Sequence, residues 1–157
     1  MPESPDPNGY LRRFDDMSVT ATNKVITSYS TSFTLATRLL ASRVRTDIRN
    51  LYAMVRIADE IVDGTAEAAG LSPDECGELL DAYEAAVLAA PEVRFHVDPV
   101  LHAYATSARR CGFDPDHVRA FFTSMRRDLD QATHDPGSFN TYVYGSAEVI
   151  GLMCLSA

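Results

Sequence analysis

Apolar residues recur at helical intervals along nearly the whole chain, and no stretch alternates apolar and polar as a half-buried strand does. The pattern predicts a first helix over 15–28 and a short one in SFTLATRLL at 32–40. After a turn at ASRVR, a long helix follows from about Arg45 to Val62. Gly64 falls just past its end, where a left-handed cap is cheapest for glycine. Three later helices each open on a capping side chain followed by proline: Ser72-Pro73, Asp98-Pro99 and Asp114-Pro115. Glu75 is placed to complete a capping box with Ser72. These helices are expected to run to about Ala90, Gly112 and Ala132. HDPGS at 134–138 reads as a loop, with Ser138 capping a last helix that runs to the chain end. Residues 1–14, polar and Pro-rich, read as a flexible tail, and 15–157 as one all-α domain.

The long helix carries the chemistry. On a helical projection Leu51, Tyr52, Val55, Ala58 and Val62 share one stripe, while Met54, Ile57 and Ile61 lie opposite. A helix apolar on so much of its circumference belongs at a protein's centre. Asp59 falls near the middle of the stripe, with Asp63 and Arg56 at its edge. A bare carboxylate in a dry core costs several kcal/mol, and a second one at i+4 adds repulsion. The arrangement makes sense if this face lines a wet cavity holding a divalent cation. Hard oxygen ligands one turn apart suit Mg²⁺, which commonly bridges carboxylates to phosphate. Arg56 is then placed to take phosphate oxygens. The competing reading is a salt bridge on a solvated face, Arg56 pairing with Asp59 or Glu60.

Charge and cysteine usage narrow the classes. With 14 basic and 22 acidic residues the chain carries a net −8, against a nucleic-acid binder. Cys76, Cys111 and Cys154 form no CxxC, and His96, His102, His117 and His134 form no HxxxH pair. Zinc and a disulfide framework are therefore not expected. The start lacks the pattern of a signal peptide, and no apolar run approaches the ~20 residues of a membrane span. The expectation is a cytoplasmic protein, with association at a membrane surface left open.

Three segments, YSTSFTLATRLL (29–40), IRNLYAMVRIADEIVD (48–63) and YVYGSAEVIGLM (142–153), together resemble the squalene/phytoene synthase family in order, spacing and residue type. The flavour of GSAEVIGLMCL is most like the bacterial phytoene synthases. The resemblance implies a helical bundle of the isoprenoid synthase type that condenses two prenyl diphosphates head to head. By position it implies that Asp59 and Asp63 bind Mg²⁺ (Mn²⁺ as an alternative) and that Arg56 contacts diphosphate. Ser30, Ser32, Phe33 and Tyr52 match the segment around the diphosphate and first isoprene unit. Tyr142, Ser146, Ala147 and Gly151 match a signature whose small residues let a prenyl chain pass. Asp128, in MRRD, matches a further acidic position. Val143 and Glu148 depart from the signature. Glu148 either narrows the tunnel or points to solvent.

Family members continue through further helices that carry a second DxxxD, which does not occur after Asp63 here. The chain therefore reads as the N-terminal half of such an enzyme, completed by a C-terminal half or a second copy. Alternatives are a non-catalytic remnant that binds Mg²⁺ and prenyl diphosphate, and a helical interaction module. The final VIGLMCLSA stops in mid-helix without a cap, so an exposed apolar groove is expected. The stripes Val118, Phe121, Phe122, Met125 and Tyr142, Ala147, Ile150, Gly151 are either tunnel wall or plain core.

Overall fold

A computed structural model describes residues 7–132 and 148–157. The order is α1 (Pro7–Tyr29), α2 (Thr31–Thr37), α3 (Ser42–Val62), α4 (Thr65–Ala68) and α5 (Pro73–Ala89), then a 3₁₀ turn (Ala90–Glu92), α6 (Pro99–Cys111) and α7 (Pro115–Ala132). Residues 148–155 are helical as well. The described residues contain no strand, in agreement with the all-α reading. The expected loop at 134–138, the Ser138 cap, and Tyr142, Val143, Ser146 and Ala147 lie outside the described residues.

The capping signals act as read. Ser72 and Glu75 form a reciprocal capping box, and the Asp98 carboxylate accepts from the backbone N–H groups of Val100 and Leu101. Gly112 closes α6 in the left-handed region, and Gly64 does so between α3 and α4. Other boundaries move. α1 begins at Pro7, so residues 7–14, expected as tail, are helical. That first stretch leans on α6: Phe14 packs on Phe95 and His102, and Asp15 bonds His102 at 2.7 Å. His102 Nδ1 accepts from the His96 backbone N–H, so Nε2 carries the proton and donates to Asp15. The ASRVR turn is mostly the first turn of α3, and the short α4 was not anticipated.

α3 sits at the centre, packed against α1, α5, α6 and α7. Leu51, Met54, Val55, Ala58, Ile61 and Val62 are buried in one core with Leu80, Tyr104, Phe121, Phe122 and Met125. Val118 and its α7 stripe are core residues, fully packed. The N-terminal half of α3 also buries Asp47 and Asn50, which meet partners on neighbouring helices, whereas Arg49 Nε beside them is buried without a hydrogen bond. Thr22 donates to Asn50 Oδ1 (2.8 Å), and Asn50 Nδ2 donates to Ala103 O (3.2 Å) and Ser107 Oγ (3.0 Å). Asp47 pairs with Arg110. Satisfied in this way, each bond adds about 1 kcal/mol and pins α1, α3 and α6 in one register.

Met153 of the closing segment is buried in the same core, while Leu152 and Leu155 are exposed. Among the described residues no helix is long and apolar enough to cross a membrane.

Candidate metal and diphosphate site

The C-terminal end of α3 gathers three carboxylates. Asp59 and Glu60 lie in its last turn and Asp63 is its C-cap, with no basic residue in that turn. A helix C-terminus carries partial negative charge, so carboxylates are disfavoured there. The nearest compensation is Arg56, one turn back. It bonds Glu60 through Nε at 2.8 Å and again through Nη2, while Asp59 stands 3.7 Å from Nη1. Its guanidinium lies over the Tyr29 ring, 4.3 Å from the centroid. Glu60 also accepts from the Thr65 hydroxyl at the start of α4.

Neighbouring carboxyls are pushed in opposite directions. Glu60 falls below the usual carboxylate range, first through the Thr65 hydroxyl and then through Arg56. Asp59 is pushed up to about 7, first by burial and then by the charge of Asp63, with Arg56 opposing. Asp128, on α7, raises it further. The Asp59 side chain is 23% exposed. A partly exposed ion pair contributes about 0–1 kcal/mol, too little to offset a burial cost of several kcal/mol. Asp63 is exposed, and its carboxyl is raised too, by desolvation first, against Arg56. Thus the salt bridge weighed for Arg56 exists, but its close partner is Glu60. Asp59 stays short of positive charge.

Beside this end, Phe33 of α2 stacks on Tyr52 of α3 at 4.9 Å between centroids. Tyr29 and Phe33 thereby meet Arg56 and Tyr52, so the α1–α2 junction lies along α3 just before the carboxylates. Ser30 fixes that junction as the N-cap of α2, accepting from the Phe33 N–H at 3.2 Å. Ser32 is exposed on α2. Gly151 is exposed as well, and a Cβ there would meet open space; Glu148 points to solvent. A small, mainly apolar cavity of about 100 Å³ lies past Asp63, lined by Ile61, Val62, Leu71, Cys76 and Leu129. It is well below the ~300–1,000 Å³ of typical ligand pockets. Tyr29, Glu60 and Thr65 were not singled out in the sequence. Their tie to Arg56 is a contact between elements, with no motif to mark it.

Two carboxylates one turn apart, both raised by desolvation against the pull of Arg56, are the hard oxygen donors that a divalent cation such as Mg²⁺ takes. Among the described residues no three Asp, Glu, His or Cys side chains cluster to hold a metal alone.

The Squalene/phytoene synthase family profile matches residues 26–157. A 15-cis-phytoene synthase of Paracoccus sp. (strain N81106 / MBIC 01143) is 31% identical over 149 residues, covering 88% of this chain. The chain spans 46% of that relative's length. No solved structure gives a significant match. The chain belongs to the squalene/phytoene synthase family.

Proposed function

We propose that this chain provides the metal and diphosphate side of a head-to-head prenyl transferase of the phytoene synthase type, joining two geranylgeranyl diphosphates through prephytoene diphosphate. The observation that carries the proposal is the placement of Asp59, largely buried at the negative end of α3 with Asp63 one turn on, while the one nearby arginine bonds Glu60 instead, in a chain of this family. Asp59 and Asp63 would hold Mg²⁺, and Arg56 would take diphosphate oxygens by turning from Glu60. Bound there, Mg²⁺ would neutralise the departing diphosphate as a Lewis acid. Asp59 gives up its proton for this role, so binding is favoured as pH rises through about 7. The Phe33–Tyr52 pair supplies an apolar wall that keeps water from the adjoining carbon.

Calorimetry of the 157-residue chain with geranylgeranyl diphosphate tests this reading. Heat is expected with Mg²⁺ and absent with chelator. Equal heats in both conditions would instead favour the reading as a helical interaction module.

A further inference from the structure

We propose that residues 94–97 form a strap that lies over the α1–α6 contact while His102 is neutral and lifts when His102 takes a second ring proton. The strap joins the 3₁₀ turn to α6 and is pinned at both ends. Arg109 donates to the carbonyls of Pro91 (3.4 Å) and Val93 (3.0 Å), and Asp98 caps α6. Between those ends the bond from the His96 N–H to His102 Nδ1, at 3.3 Å, holds the backbone. Phe95 touches the rings of Phe14 and His102 yet stays 52% exposed, and Val97 is 84% exposed. The strap thus buries little apolar surface, and its hold rests largely on that bond.

His102 is buried with both ring nitrogens engaged, Nδ1 as acceptor and Nε2 as donor to Asp15. Only the neutral ring can do both. A backbone N–H cannot reverse its role, so a proton added at Nδ1 sets two donors against each other and removes the bond. The Asp15 bond survives the change and gains charge. Protonation therefore keeps α1 on α6 while releasing the strap. His96 does not share this sensitivity. Its Nε2 faces the Ala90 carbonyl at 3.2 Å and donates to it whether or not Nδ1 is protonated. Among the described residues, the charged and titratable groups around His102 are Asp15 of α1, Arg94 and His96 of the strap, and Arg109 of α6. α3 meets α6 further on, at Ala103 and Ser107, and its Asp47 is paired with Arg110. Asp15, Arg94, His102 and Arg109, with Leu11 and Thr106, line a cleft of about 420 Å³, so a lifted strap widens it. Histidine changes charge between about pH 5 and 8, which makes mild acid the trigger. The inference stands without the carboxylate site.

NMR of the unaltered 157-residue chain from about pH 8 to about pH 5 tests the strap. The ring nitrogens of His102 should report protonation. Over the same range, hydrogen-exchange protection of the His96 amide should fall about fivefold or more. The Val100 amide, held by Asp98, and the amides of α1 should keep theirs. His102→Asn places an acceptor oxygen where Nδ1 stands and cannot be protonated, so its His96 amide should stay protected throughout. His96→Gln removes the second imidazole and keeps a donor for the Ala90 carbonyl, so the pH response should persist. Asp15→Asn should move the transition to lower pH, because the carboxylate favours the charged ring. Constant protection of the His96 amide through protonation of His102, or a ring that stays neutral down to about pH 5, would overturn the proposal. So would loss of the response in His96→Gln. Loss of protection along α1 at the same pH would overturn it as well, since the whole α1–α6 contact would then be opening.

Discussion

The two halves of α3 treat buried polarity in opposite ways. In the N-terminal half, Asp47 and Asn50 meet partners from α1 and α6, and the network around Asn50 is closed, with Arg49 Nε left orphaned beside it. In the C-terminal half, Asp59 competes with Glu60 for a single arginine and sits where the helix end itself is negative. One end is finished by the fold. The other is finished only by something that brings positive charge. Buried polarity therefore signals stability where partners converge and a ligand where they fall short.

Asp59→Asn sharpens the contrast most, because it should move binding and stability in opposite directions. Changing a group that only hydrogen-bonds a metal's ligand costs about 10–100-fold in metal affinity, so loss of a proposed ligand should cost at least that for Mg²⁺-dependent prenyl diphosphate binding. A calorimetric change below about threefold would break the comparison. Next in size is Asn50→Leu, which removes the partner of Ser107 and the ties across to α1 and α6, leaving Thr22 only its own-helix bond to the Val19 carbonyl. It should cost about 2–4 kcal/mol in urea unfolding and leave diphosphate affinity unchanged.

The third effect has a definite sign. Asp59 is raised from its ordinary value to about 7. Between about pH 4 and 7 the folded chain keeps a proton that the unfolded chain has released. Its contribution to stability is thus present at low pH and lost as pH rises through that window. Asp59→Asn removes the loss, and denaturation at pH 8 should show a gain on the order of 1–2 kcal/mol. The same comparison at pH 4 should show little difference. The smallest effect is that of Glu60→Gln. It frees Arg56 for Asp59 and removes a neighbouring negative charge, so the Asp59 titration should move down from about 7. An upward movement would mean that Glu60 holds Arg56 in place for Asp59.

Features set by a few adjacent residues were legible in the sequence. The Ser72–Glu75 box and the Asp98 cap need only local chemistry, and those helices start where expected. The centrality of α3 was legible because Met54 and Ile61 oppose the Leu51–Val62 stripe, and both sides are buried. The start of α1 was not. Its first turns lack an apolar period and rest on Phe95 and His102, far along the chain. The start of α3 was missed for a similar reason, since Arg45 spends its charge on carbonyls at the end of α2. At the site, spacing placed Asp59 and Arg56 together but could not rank Arg56's partners. Rotamers and the Thr65 hydroxyl decide for Glu60. The closed network was also missed, although Thr22, Asn50 and Ser107 interrupt otherwise apolar faces and carried a signal.

The carboxyl carbon of Asp59, followed by NMR through a pH titration with and without Mg²⁺ and pyrophosphate, tests the account most directly. Its midpoint should lie near 7 in the absence of metal and fall well below that with Mg²⁺-pyrophosphate. A midpoint already in the ordinary carboxylate range, or one near 7 that Mg²⁺-pyrophosphate leaves in place, would contradict it.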